Sequence, residues 1–161
     1  MVVFTSAFYA GSLFEHDPLQ AQLLVDEFME SIEGIDGLGI FTHNLSLSLP
    51  MFIPGFGVAW GIFSGISTGY ILSAIITLNP EVAISPLELL FLSPFGLLEI
   101  TAYSLAGSRS FLLVYKMIQK VSIRPDARIV ATEVGIVAGL LFAGGIIEYY
   151  MIEMAREAGI F

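Results

Sequence analysis

Residues 37–80, GLGIFTHNLSLSLPMFIPGFGVAWGIFSGISTGYILSAIITLNP, contain no Asp, Glu, Lys or Arg over 44 consecutive positions. A helix needs ~20 apolar residues to cross the hydrocarbon of a bilayer, so this run is long enough for two crossings. Pro54 has no backbone donor and pushes the residue before it away from helical geometry. The run therefore divides within residues 50–57 into membrane segments at 38–53 and 55–79, and Asn79-Pro80 closes the second. Over the whole chain of 161 residues, 56% are hydrophobic and 13% charged, about half the ~25% charge of a soluble domain. These features predict an all-α, polytopic membrane helix bundle.

Upstream, residues 2–14 are apolar but too few for a full crossing. They are expected to form the outer part of a first span, without the basic leader and cleavage motif of a signal peptide. Asp17-Pro18-Leu19-Gln20 is a helix start, with Asp17 as cap, Pro18 at the first helical position and Gln20 completing a capping box. Leu19, Leu23, Leu24, Phe28 and Ile32 follow at helical spacing, with Asp26, Glu27, Glu30 and Glu33 mostly elsewhere on the circumference. Residues 17–34 thus read as an acidic amphipathic helix lying on the outer membrane surface or against a partner. Downstream, 88–108 forms a span interrupted at Ser93-Pro94, 109–128 is a polar loop, 129–150 is the last span, and 151–161 is a mixed-charge tail. The expectation is one membrane domain, 1–161, with four or five transmembrane helices and one external helix.

Five of the six basic residues, Arg109, Lys116, Lys120, Arg124 and Arg128, fall within 109–128. The positive-inside rule places that loop in the cytoplasm, where lipid headgroups are its natural partners. The chain is then a multi-pass protein of the plasma membrane. If 38–53 crosses, the acidic helix is outside and the amino terminus inside; if it re-enters, that order changes.

Two rows of small residues recur every four positions. The first is Gly57, Gly61, Gly65, Gly69 and Ser73; the second is Ala131, Gly135, Gly139 and Ala143. On a helix each row is a groove that lets another backbone approach closely, a driver of association in lipid. The rows are expected to serve packing inside the monomer, homo-oligomerisation, or both, and a channel lining or subunit interface is the other use.

Glu99 falls inside a span, where a carboxylate normally faces protein or a wet cavity. It would bond the backbone opened by Pro94, near Ser93 and Gly96, or mark a path for protons or ions, or meet another subunit. Glu148 is close enough to the outer boundary to reach water, and Glu133 to the inner one. Asn44, beside His43, reads as a helix-end hydrogen-bonding device. Cysteine is absent, and His16 and His43 form no metal spacing. There is no nucleophile elbow, phosphate loop or Ser-x-x-Lys pattern, so no catalytic residue, metal or cofactor is expected, and the basic loop needs no nucleic acid.

Several of these positions also carry a resemblance. Residues 40–117 resemble the stage II sporulation protein M family of membrane proteins. Ile40-Phe41-Thr42-His43-Asn44 is similar to the family's aromatic-plus-Asn start of a span. Pro94-Phe95-Gly96-Leu97-Leu98-Glu99 is similar to its Pro-His-Gly-x-x-Glu motif, with Phe95 in place of the histidine. Thr68-Gly69 stands where the family has Asn-Gly. Leu105-Ala106-Gly107-Ser108 corresponds to its small-residue tract, and Ile147-Glu148-Tyr149 looks like its final Ile-Glu-aromatic end. The resemblance implies a compact helical membrane domain and, by its named member, a scaffold that recruits cell-wall hydrolases. The expected function is a non-enzymatic membrane scaffold or accessory subunit, partnered by other integral membrane subunits or by its own copies. The alternative is a small transporter or channel using Glu99 and the glycine-lined groove.

Overall fold

The structure is a computed structural model that describes residues 1–31, 34–80 and 85–157, and among these it is helical with no strand. In chain order the helices are α1 (Val2–Ser12), α2 (Pro18–Ser31), α3 (Gly37–Ser48), a 3-10 turn (Leu49–Phe52), α4 (Phe56–Leu78), α5 (Pro86–Leu92), α6 (Pro94–Ile118), a 3-10 turn (Arg124–Asp126) and α7 (Ala127–Glu157).

Among the described residues, only α4 and α7 are individually long and apolar enough to cross a membrane; α5 and α6, bent by 91°, add a third candidate span if counted together. The expected four or five transmembrane helices are thus two or three. The difference comes from helices that stop early. α1 has 11 residues and α3 has 12, which at 1.5 Å per residue reach ~16–18 Å against a ~30 Å hydrocarbon core. The segment expected at 38–53 is α-helical to Ser48, tightens into the 3-10 turn, and becomes extended at Ile53, the residue before Pro54. Gly55 then turns the chain with φ +81°, in the left-handed region open to glycine, and α4 begins.

The other boundaries shift as well. α2 starts on Asp17, whose Oδ1 accepts the Leu19 N–H at 3.1 Å, but Ile32 and Glu33 lie outside the described residues. Leu19 and Leu23 are exposed, while Ala21 is the residue that α2 buries, against α4. The span expected at 88–108 continues as helix to Ile118, so half of the expected polar loop is an extension of α6, not a loop. The last helix runs from Ala127 to Glu157 rather than over 129–150.

α1 lies along α4 in the same direction. Gly65 faces Phe4, Ala7 and Phe8, Gly69 faces Phe8 and Ser12, and Gly11 in turn rests on the Ile66 backbone. His16, buried just past α1, places Nε2 3.1 Å from the Tyr70 carbonyl and 2.9 Å from Ser73 Oγ, tying the α1–α2 corner to α4. α6 and α7 run antiparallel, with Gly144 beside Phe95 and Leu98 at one end and Arg109 paired to Glu133 nearer the other. Phe4, Met51, Phe52, Ala102, Tyr103, Ala106, Val137 and Leu141 form the core, where α1, the first 3-10 turn, α6 and α7 meet. Ser110 Oγ donates to the Ile53 carbonyl at 2.7 Å and Trp60 Nε1 to that of Leu47 at 2.9 Å, tying α6 and α4 to the backbone around the proline break.

Candidate functional site

The polar site grows from the corner between α5 and α6. Ser93 caps α6 by accepting the Gly96 N–H at 3.2 Å, and Pro94 occupies the first turn, where its missing donor costs nothing. Gly96 is packed so closely on Leu90 and Ser93 that a side chain would collide with the Leu90 backbone. The backbone opened by Pro94 is therefore served by Ser93, not by Glu99 as one reading had it. Glu99, one turn further on, points across the bundle. Its Oε1 accepts a 2.6 Å hydrogen bond from Asn44 Nδ2.

Asn44 is buried in the middle of α3, so it is not a helix-end device. α3 reaches it because α7 is slim at Gly145. A Cβ there would lie 3.0 Å from the Gly37 carbonyl and the Phe41 nitrogen, and Phe41 packs edge-on against Phe142 with centroids 5.5 Å apart. Glu148 sits on the same face of α7, one turn beyond Gly144 and Gly145. Side chains on a helix lean toward its amino-terminal end. On antiparallel α6 and α7, Glu99 and Glu148 therefore lean toward each other, and both are only half buried. Glu148 and the Tyr103 phenol, one turn along α6, lie within electrostatic reach of Glu99. Asn44, Glu99, Tyr103 and Glu148 thus form one cluster on three helices. Sequence reading singled out three of the four separately; Tyr103 escaped it because an aromatic at helical spacing reads as core.

A second polar seam lies lower on α6. Arg109 grips both oxygens of Glu133 on α7, donating from Nε at 2.6 Å to Oε2 and from Nη2 to Oε1, with side chains 11% and 15% exposed. Lys116 Nζ pairs with the buried Asp126 at 2.6 Å. Of the five basic residues expected at lipid headgroups, Arg109 is therefore spent on an α6–α7 contact and Lys116 on the 3-10 turn that leads into α7. Lys120, Arg124 and Arg128 are exposed, with Lys120 in the left-handed turn at φ +58°. Glu133 does not reach out to the interface; it faces Arg109.

The small rows differ. Gly57, Gly65, Gly69 and Ser73 are buried, while Gly61 is half buried, with only Met51 Sδ near, at 3.9 Å from a Cβ placed there. The groove on α4 is filled, by α1 and by Met51. Ala131, Gly135, Gly139 and Ala143 are all exposed, and a Cβ at Gly135 or Gly139 meets nothing within 4 Å. α7 packs on α3 and α6 through Gly144 and Gly145 instead. Among the described residues there is no group of three or more His, Cys, Asp or Glu placed to hold a metal ion.

No curated protein and no solved structure matches the chain. The family model described as stage II sporulation protein M matches residues 1–151 of the 161. With that match, and with apolar helices long enough to span a bilayer, the chain belongs to the stage II sporulation protein M family of membrane proteins.

Proposed function

We propose that the protein is a non-enzymatic membrane scaffold or accessory subunit that packs into a larger membrane assembly through α7. The observation that carries this is the open face of Ala131, Gly135, Gly139 and Ala143. A glycine inside a helix costs up to ~1 kcal/mol relative to alanine. Two of them on one exposed face give that up without serving any internal contact. A helix from another subunit, or from a second copy, recovers it by close backbone approach. The exposed basic residues Lys120, Arg124 and Arg128 fit lipid headgroups on the cytoplasmic side of the plasma membrane, and nothing in the arrangement calls for nucleic acid.

Because the chain contains no cysteine, single replacements test both points in native membranes. Gly139→Cys should form a discrete adduct with a short thiol cross-linker, to itself or to one partner. Gln20→Cys and Gln119→Cys should be labelled from opposite faces. A Gly139→Cys protein that stays monomeric and uncross-linked, in membranes and in gentle detergent, would sink the scaffold reading. A second reading, a small transporter using Glu99, draws on the intramembrane carboxyls. It requires a pH-dependent flux in reconstituted vesicles that Glu99→Gln abolishes.

A further inference from the structure

An open cavity of about 400 Å³ lies where α1 and α4 end side by side, with Pro86 at the start of α5 on its wall. That volume is in the range of small-molecule sites. Its side chains reveal what it suits through the placement of their protons and lone pairs. The hydroxyls on the wall have given their protons away within their own helices. Ser12 Oγ donates to the Tyr9 carbonyl at 2.9 Å, Ser73 Oγ to that of Tyr70 at 2.8 Å, and Thr77 Oγ1 to that of Ser73 at 2.9 Å.

His16 is oriented by the same network. Its Nε2 faces the Tyr70 carbonyl, which can only accept, and Ser73 Oγ, whose proton is already directed at Tyr70. In the neutral ring Nε2 therefore carries the proton and Nδ1 the lone pair. Nδ1 has no partner among the described residues, yet it is not one of the side-chain atoms buried without a partner. It therefore opens onto the cavity that His16 lines. Glu15 also lines the cavity, is exposed, and forms no ion pair among the described residues. The polar side chains thus offer lone pairs and a negative charge, but no free donor.

The helix ends add to this bias. α1 and α4 run in the same direction, so both bring their partially negative carboxy-terminal ends to the cavity. The opposite pole, the amino terminus of α5, is occupied by its own capping box between Ser85 and Glu88. This lining repels an anion and suits a cation that carries N–H donors. A bare metal ion needs several convergent ligands, and the described residues hold no group of three or more His, Cys, Asp or Glu placed for one. An ammonium head needs only scattered acceptors, together with apolar surface for its carbon chain. Phe14 supplies that surface, its ring held edge-on to Tyr70 with centroids 5.4 Å apart, and an aromatic face attracts a cation as well.

We propose that this cavity binds a primary ammonium group, borne by a soluble amine or by the headgroup of phosphatidylethanolamine. Its N–H bonds donate to His16 Nδ1 and the Glu15 carboxylate, with the Ser12 and Thr77 hydroxyl oxygens as further acceptors and Phe14 against the carbon chain. Both sources have access, because Ser73 and Thr77 lie in the last two turns of the 23-residue helix α4, close to the membrane boundary. The site is independent of the scaffold reading, since no residue of the open α7 face lines it.

The chain has only two histidines, His16 and His43, so histidine-selective nitrogen NMR of the full protein in nanodiscs reads His16 Nδ1 directly, with His43→Gln providing the assignment. In phosphatidylcholine nanodiscs at constant neutral pH, ethylammonium should move the Nδ1 resonance upfield to saturation. Tetramethylammonium, equal in charge but without N–H bonds, should leave it in place. The same shift in phosphatidylethanolamine nanodiscs without added amine would identify the headgroup as the source, and a shift confined to ethylammonium would identify a soluble amine. Glu15→Gln, at an exposed position, should weaken the response about tenfold, the worth of one charged hydrogen bond. No saturable shift from either source, an equal shift with tetramethylammonium or sodium, or an undiminished response in Glu15→Gln would each overturn the proposal. If Glu15→Gln does not fold, the contrast between ethylammonium and tetramethylammonium in the wild type still decides it.

Discussion

The two small-residue rows obey one sequence rule and end in opposite surroundings. On α4, Gly65 and Gly69 are pressed against α1 so closely that a Cβ at Gly69 would collide with the Phe8 backbone. On α7, Gly135 and Gly139 face open space, although their spacing is the same. Spacing of small residues states that a backbone can come near; it does not say which backbone. On α4 the visitor is α1, delivered by its own chain and anchored past its end by His16. On α7 the chain's own partners, α3 and α6, approach at Gly144, Gly145 and the Arg109–Glu133 pair, which lie on another face.

The largest effect should come from breaking the filled row. Gly69→Leu forces apart two backbones already in contact, at or beyond the ~1–3 kcal/mol usual for overpacking. The expected result is loss of folded protein, read by thermal melting in detergent; Gly61→Ala, with only Met51 nearby, should melt like the wild type. A normal melting curve for Gly69→Leu would mean that α1 does not occupy the groove. An intermediate effect is expected where charge, not a glycine row, joins α6 to α7. Glu133→Gln leaves Arg109 largely buried with a neutral partner, and removing one member of such a pair costs on the order of 3 kcal/mol. Arg109→Met/Glu133→Met should recover much of that loss, and a double variant as unstable as the single one would show that the pair does not set the contact. The smallest effect belongs to the open row. Gly139→Ala should leave melting unchanged or raise stability by up to ~1 kcal/mol through helix propensity, while weakening whatever association purification in gentle detergent preserves. Destabilisation of the isolated chain by Gly139→Ala would place that face inside the fold.

Much of the fold was legible along the chain. The uncharged run from 37 to 80 marked the bundle as a membrane one, and Pro54 and Ser93-Pro94 marked the two breaks, because proline removes a donor wherever it stands. The helix count was less legible. An apolar stretch such as 38–53 has the composition of a span, but its helix ends at Ser48 ahead of Pro50, and composition does not register where a helix stops. The extent of α6 was hidden for the opposite reason. Arg109 and Lys116 read as loop residues until Glu133 and Asp126 are seen to take up their charges. For the candidate site, Asn44, Glu99 and Glu148 each stood out as polar groups in apolar surroundings, all three inside family-like motifs, but nothing linear joined them.

By itself, then, the sequence determined the solvent this protein lives in, the helical class, the positions of its proline breaks and the residues too polar to be indifferent to lipid. These are properties of composition and local backbone chemistry. The tertiary structure alone decided which glycine row is filled, that Arg109 belongs to Glu133, and that Asn44 of α3, Glu99 and Tyr103 of α6 and Glu148 of α7 converge. Those outcomes depend on the direction and register in which helices pack, and residues as far apart as Asn44 and Glu99 have no local interaction that could announce their meeting.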